Sequence, residues 1–407
     1  MNPILPRHRY IPDPEARVWK DGRLYLYGSQ DRPGSGTYCS DSYRVFSTGD
    51  LIEWTDHGTS FCKPGGAFES FPDLYAPDCV CKDGVYHLFF CGGAGSEGVA
   101  VSDCPAGPFS DPVPVAGADG SGIDPAVLVD DDGTAYLYWG QFSLQGAKLT
   151  GDMRAIVPES HRMALLTEQA HGFHEGASIR KVRGRYYLVF TDVSRGLATC
   201  LSYAVSDSPL GPFEKMGVIL DNAPCDPRSW NNHGSLCEFQ GRWYLFYHRS
   251  SLNERFNRRA CVEPVTILPD GTIPEIEMTT QGAEGPVPAA RTMEAWRACF
   301  LYGGIHTRLE AGREFLAATG CADFASFKYL RFAGETEFVT TLRGEGELQV
   351  YLDQPYGVPI AVIPVRSPGT WSTVAATHAP AHGIHSVHLV FNGQPVDLLD
   401  FRWRAEG

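Results

Sequence analysis

Apolar and polar positions along the chain change in short runs, and stretches with apolar residues every three or four positions are nearly absent. The runs are rich in aromatic and β-branched side chains and are bounded by Asp, Gly and Pro. This pattern predicts an all-β chain. One unit recurs. Asp21-Gly22-Arg23-Leu24-Tyr25-Leu26-Tyr27 is echoed at Asp83-Gly84-Val85-Tyr86-His87-Leu88-Phe89 and at Asp132-Gly133-Thr134-Ala135-Tyr136-Leu137-Tyr138, with looser copies at Arg183–Val189 and Gln240–Phe246. Each copy reads as a turn closed by Gly and followed by an apolar strand. The turn glycines at 22, 84, 133, 184 and 241 stand roughly 50 to 60 residues apart, near the length of one four-stranded propeller blade. Five copies predict five blades. Ser102-Asp103-Cys104-Pro105-Ala106-Gly107-Pro108-Phe109 recurs as Ser206-Asp207-Ser208-Pro209-Leu210-Gly211-Pro212-Phe213, a second repeat placed where an outer strand should end.

The repeat fades after residue 278, and residues 279–292, with Gly282, Gly285, Pro286 and Pro288, have the composition of a linker. Alternating runs such as Gly346–Asp353 and His385–Phe391 then predict a C-terminal β-sandwich over 293–407. The expected fold class is therefore a five-bladed β-propeller over 1–278 followed by that sandwich.

Composition narrows the partners. Hydrophobic residues make up 43% and charged residues 20%, enough apolar surface for real cores. With 48 acidic against 34 basic side chains the net charge is -14, which repels a phosphate backbone and argues against nucleic acid as a partner. No run approaches the ~18 to 20 apolar residues of a membrane helix, and Met1–His8 lacks the apolar core of a signal peptide. A cytoplasmic location without membrane partners is the expectation, or a secreted one if a signal has been removed. The 12 cysteines are scattered singly apart from Cys79 and Cys81, a pattern expected of reduced thiols.

Polar residues enter at similar places just before the repeated strands: Asp13 in Tyr10–Pro14, Asp78 after Tyr75-Ala76-Pro77, Asp124 in Gly122–Ala126, Glu175 after Phe173-His174, and His233 after Asn231-Asn232. In a propeller the innermost strands line a central channel, so these residues are expected to converge on one mouth of the ring. A single Asp before Pro is commonly a turn former, and a lone His commonly a bonded core residue. Three carboxylates and a His around one channel, however, suit general acid and base work on an acetal.

The five segments resemble those of glycoside hydrolase family 43, five-bladed propeller enzymes that remove arabinofuranosyl or xylosyl units with inversion. Asn2-Pro3-Ile4-Leu5, Ala76-Pro77-Asp78, Ile123-Asp124-Pro125-Ala126, Glu175-Gly176 and Asn232-His233-Gly234 fall in that family's order. The resemblance implies Asp13 as general base, Glu175 as general acid and Asp124 as the carboxylate that orients and tunes the acid. It also implies Asp78 in the sugar pocket and His233 in the channel, near a calcium ion bound through water. Glu15, two positions after Asp13, is a weaker competitor for the base. Tyr75 stands where the family usually has Trp. Phe71, Tyr75, Phe173 and Trp230 are candidate sugar-stacking residues, and Arg249 is a candidate donor to hydroxyls.

The C-terminal part resembles carbohydrate-binding module family 6 at Tyr329–Phe332, Gly369-Thr370-Trp371 and Leu398–Trp403, with Tyr329, Trp371 and Asn392 as candidate sugar contacts. The expected activity is an inverting, exo-acting hydrolase that removes terminal pentose, foremost α-L-arabinofuranose, from oligosaccharides or polysaccharide side chains. A β-xylosidase, a galactosyl or galactofuranosyl hydrolase, and a non-catalytic sugar-binding propeller are the alternatives. A retaining fructan-type enzyme would carry an Asn-Asp-Pro-Asn start, which is not found here.

Overall fold

The computed structural model describes residues 1–405 except 71, 72, 93–95, 120, 121, 229 and 321, with only the backbone described at Ser96 and Asp119. Its first two-thirds form five antiparallel sheets in chain order. Blade one contains β1 (Glu15–Val18), β2 (Leu24–Tyr27), β3 (Ser42–Thr48) and β4 (Trp54–Cys62). Blade two contains β5 (Asp78–Lys82), β6 (Val85–Cys91), β7 (Ser96–Ser102) and β8 (Ser110–Asp119). Blade three contains β9 (Ala126–Val129), β10 (Ala135–Trp139), β11 (Ser143–Lys148) and β12 (Arg162–Thr167). Blade four contains β13 (Phe173–Val182), β14 (Arg185–Asp192), β15 (Cys200–Ser206) and β16 (Glu214–Asp221). Blade five contains β17 (Gly234–Phe239), β18 (Arg242–Ser251) and β19 (Glu254–Val265).

The first strand of each blade neighbours those of the adjacent blades, β1 lying beside both β5 and β17, so the five inner strands close a ring. Each repeat turn joins the two innermost strands of its blade. Its glycine takes the left-handed conformation (φ between 74° and 86°) that L side chains adopt only at a cost. Apolar residues from neighbouring blades pack against each other. Leu24 and Phe46 of blade one meet Phe246 and Val262 of blade five, and Tyr27 and Phe61 meet Leu88 and Phe90 of blade two. Three further clusters fill the remaining junctions. The second repeat forms the loops between β7 and β8 and between β15 and β16. There the carbonyls of Pro105 and Pro209 accept hydrogen bonds from Tyr27 and Tyr138 of the preceding blades, at 2.7 and 2.5 Å.

Blade five has three strands, and residues 2–4 lie along the free edge of β19. The Ile4 amide donates to the Ala260 carbonyl (3.0 Å), and the Asn2 side chain bonds both the amide and the carbonyl of Val262.

Beyond the propeller lies a C-terminal β-sheet region with its own apolar core around Phe327, Phe338, Leu389, Phe401 and Trp403. Two long bulged runs, Asp323–Leu352 and Ala361–Arg404, supply most of it. The stretch expected to be a linker is tied down. Asn2 and Lys328 bond Thr280 through backbone groups, and Val287–Pro288 pairs in parallel with Leu330–Arg331. A buried fork from Arg259 to Glu314 (2.8 Å twice) joins the two parts. Among the described residues no helix is long and apolar enough to cross a membrane.

Candidate active site

One mouth of the ring opens into a cavity of about 370 Å³, and every blade delivers residues to it. Blade one supplies Asp13, blade two Tyr75, blade three Asp124, blade four Glu175 and blade five His233. Asp13 and Asp124 each stand before a proline and two residues ahead of an inner strand, with left-handed backbones (φ 54° and 60°). Such strained corners cost on the order of 1 kcal/mol or more each, and they set the carboxylates at the channel mouth rather than along a strand face. Glu175 sits where β13 and β14 slip register, a bulge that re-aims its side chain. The next residue must be glycine. Gly176 has φ 68°, and a Cβ there would stand 2.7 Å from Thr191 Oγ1 and 3.2 Å from the His233 ring.

Asp13 is held as an anion. Its Oδ1 accepts from Arg258 Nη1 at 3.0 Å and its Oδ2 from the Ser29 hydroxyl at 2.6 Å. Burial, the largest single influence, would raise its pKa, but the Arg258 guanidinium, together with His248 and His233, outweighs burial and keeps the carboxyl far below the usual range. The Asp13 amide donates to His248 Nδ1 (3.2 Å), so that nitrogen carries no proton. The proton of the neutral imidazole is then on Nε2, which faces Asn231 Oδ1 at 3.3 Å.

Asp124 has the opposite environment. Burial, followed by the charges of Glu175 and Asp13, pushes its carboxyl well above the ordinary value, although its Oδ2 accepts from the Gly176 amide (3.2 Å). Asp124 therefore carries the raised affinity for a proton in this part of the cavity, beside the Glu175 carboxyl that the resemblance names as the acid. Glu175 Oε2 accepts from Gln141 Nε2 at 2.8 Å. His233 lies between the two sides, its Nδ1 3.7 Å from Asp13 and 3.9 Å from Asp124, and burial holds it below its ordinary pKa.

Tyr75 and Trp230 line the cavity with these groups, Trp230 beside the His174 ring at 5.7 Å. Three other candidates do not. Phe173 is fully buried and packs on Phe190 in the junction between blades three and four. Asp78 is the first residue of β5, so its counterpart in blade one is Glu15 rather than Asp13. It receives a fork from Arg17 (2.6 and 2.8 Å) and the Val127 amide (2.7 Å), linking three inner strands. Burial pushes Asp78 up to about 6 against the pull of Arg17. Arg249 leaves β18 on the side away from Asp13 and lines a separate small cavity. Phe71 lies outside the described residues. Glu15 is removed from the contest for the base, since it is buried in ion pairs with Arg17 and Arg180.

The donors around His233 do not make a calcium shell. Calcium takes six to eight oxygen ligands, whereas Asp13 is engaged by Arg258 and Ser29, and Asp78 and Glu15 by arginines. Among the described residues no group of three or more His, Cys, Asp or Glu side chains is arranged to hold a metal ion. A cation beside His233 would be held through water.

Arg258, His248, Ser29 and Gln141 escaped the sequence reading. Tyr247-His248-Arg249 lies on a strand whose side chains alternate in direction, and His248, not Arg249, faces the carboxylate. Arg258 carries no local signal, because the strand repeat covers only the first two strands of each blade.

A propeller mouth that gathers three carboxyl groups, with Asp13 held well below the ordinary range and Asp124 pushed well above it, has the parts of a hydrolase of the two-carboxylate kind. The chain belongs to Glycosyl hydrolases family 43, whose profile matches residues 1–273. It is 31% identical to a xylosidase/arabinosidase of Thermoclostridium stercorarium over 96% of each chain. It is 29% identical to an arabinoxylan arabinofuranohydrolase of Paenibacillus polymyxa, over 96% of this chain and 72% of that one. Among solved structures, the arabinoxylan arabinofuranohydrolase of Bacillus subtilis in complex with cellotetraose shares the fold, with TM-score 0.60 and 24% identity over 100% of this chain and 97% of that one.

Proposed function

We propose that this protein is an inverting, exo-acting glycoside hydrolase that removes terminal pentose units, α-L-arabinofuranosyl foremost, from plant-derived oligosaccharides or polysaccharide side chains. The observation that carries the reading is the opposed electrostatics of one cavity, with Arg258 favouring the ionised form of Asp13 while burial and neighbouring charges push the carboxyl of Asp124 well above its ordinary range. Asp13 takes a proton from a water molecule as its oxygen attacks the anomeric carbon. Glu175 gives a proton to the glycosidic oxygen as the carbon–oxygen bond breaks, and the configuration at that carbon inverts. Asp124, which accepts from the Gly176 amide next to Glu175, orients and tunes the acid. Tyr75 and Trp230 offer ring faces to the sugar.

The cavity volume, at the small end of ligand sites, suits a single terminal sugar. The xylosidase/arabinosidase and arabinoxylan arabinofuranohydrolase relatives support pentose as that sugar. Aryl glycosides of arabinofuranose, xylose, galactose and galactofuranose, with the product anomer read by NMR, test both halves. Turnover of the arabinofuranoside with an inverted product is expected. A retained anomer overturns the mechanism, and preference for another sugar overturns the specificity.

For the C-terminal region, the motifs around Trp371 and Trp403 support a family 6 type carbohydrate-binding module. Of its candidate contacts, Tyr329 is bonded to Glu277, and Trp371 lies against Arg343 and Phe315, which leaves Asn392 the least committed. Retardation of the Asp13→Asn protein in gels containing arabinoxylan, lost when Asn392 is also changed to Ala, is the expected result.

A further inference from the structure

Phe142 ends the turn between β10 and β11 of blade three and is 51% exposed. Its backbone is left-handed (φ 63°), which a residue other than glycine adopts at a cost. The turn is fixed in place, since the Phe142 amide donates to the His174 carbonyl (2.6 Å) and the Phe142 carbonyl accepts from the Glu168 amide (2.8 Å). Neither bond needs a phenyl ring, and glycine would make both without strain. A single exposed Phe is ordinary on a protein surface. The neighbours of this one are not.

They are the neighbours of the acid. Gln141, one residue before Phe142, donates to Glu175 at 2.8 Å. His174, one residue before Glu175, meets the Phe142 ring edge-on with centroids 5.1 Å apart. The imidazole is held in one orientation, because its Nδ1 donates to Glu168 Oε2 at 2.6 Å. His174 and Trp230 line the cavity, and Phe142 does not. An aromatic series therefore runs from the cavity wall past the acid to the surface, with Phe142 outermost. Protonation by the acid puts the departing group on the Glu175 side of the bond that breaks. The cavity suits one sugar, so the remainder of the substrate must lie beyond the lining, where Phe142 stands.

We propose that Phe142, with His174 beside it, forms the binding face for the leaving-group sugar, a pyranose ring whose flat C–H face stacks on the phenyl ring. This assignment rests on the reading of Glu175 as the acid of a pentose-removing hydrolase. It also accounts for the strained turn, which presents a rigid, preorganised ring where glycine would serve the backbone better.

The test compares an arabinofuranosyl-substituted xylotriose with methyl α-L-arabinofuranoside, which also needs a proton from Glu175 but has no leaving ring. In Phe142→Gly, kcat/KM for the oligosaccharide relative to the methyl glycoside is expected to fall about threefold to tenfold, mainly through KM, and Phe142→Tyr should restore it. Turnover of the methyl glycoside reports that each variant has folded. A ratio within about twofold of that of the unmodified protein overturns the proposal. Equal losses on both substrates also overturn it, since the turn would then serve only to place Gln141 and Glu175. If the unmodified protein hydrolyses neither substrate, the reading as a pentose-removing hydrolase fails first and the role of Phe142 falls with it.

Discussion

Arg258 places Nη1 3.0 Å from Asp13 while its Nη2 and Nε bind the two oxygens of Asp31, so one guanidinium serves two buried carboxylates. Replacing it with Met removes the charge that holds Asp13 below its ordinary pKa. The acidic limb of the kcat/KM profile, which reports Asp13, is then expected to move to higher pH by about one to three units. Asp13 also contributes stability above its unfolded pKa of about 3.9 and loses it as the pH falls further, and the variant should lack that acid-side slope. An unmoved acidic limb would show that another group activates water.

The two sides of the cavity should separate by leaving group. Asp13→Asn is expected to slow every substrate alike, by about 10³-fold or more. Glu175→Gln should slow a sugar leaving group far more than an activated aryl group that departs without a proton. Asp124→Asn removes a charge that favours the proton on Glu175, so the alkaline limb should move to lower pH. Steady-state rates on both substrate types decide this. Equal losses for Glu175→Gln on both would remove it from the role of acid.

Gly176→Ala tests the corner behind Glu175. The added Cβ meets Thr191 and the His233 ring in a left-handed backbone, so a loss of about 1 to 3 kcal/mol in unfolding free energy is expected. A larger fall in kcat than in KM should accompany it as Glu175 is displaced. Denaturant unfolding and steady-state kinetics report the two effects separately.

Much of the architecture was legible because a blade is a local object. The Gly-closed turn between its two inner strands recurs at each copy, and counting turns counts blades. The carboxylates before Pro14 and Pro125 and beside Gly176 were legible for a related reason, since an unusual backbone corner leaves unusual residues in the sequence. Asp78 and Phe173 were misread by position along a strand, where a shift of one or two residues exchanges cavity for core. Arg258 and its contact with Asp13 depend on closing the ring across some 245 residues, and nothing near either residue announces it.

Asp78 is expected to behave as a strut. Asp78→Asn breaks a buried fork with Arg17, which should cost about 3 to 5 kcal/mol of stability. KM for the surviving folded enzyme should stay within about twofold, since the side chain is engaged by Arg17 and the Val127 amide and does not line the cavity. Chemical denaturation together with KM checks this, and a KM raised tenfold at unchanged stability would return Asp78 to the sugar pocket.

The edge of β19 is covered by residues 2–4, so this segment has partners that emerge from the ribosome some 260 residues later. At synthesis rates of about 5 to 20 residues per second, that interval is on the order of tens of seconds. During it four blades can form while the seam between the first and the last stays open, with Leu24, Leu26 and Phe46 facing water. The ring therefore closes late, and its last seam is buried only once synthesis has passed blade five.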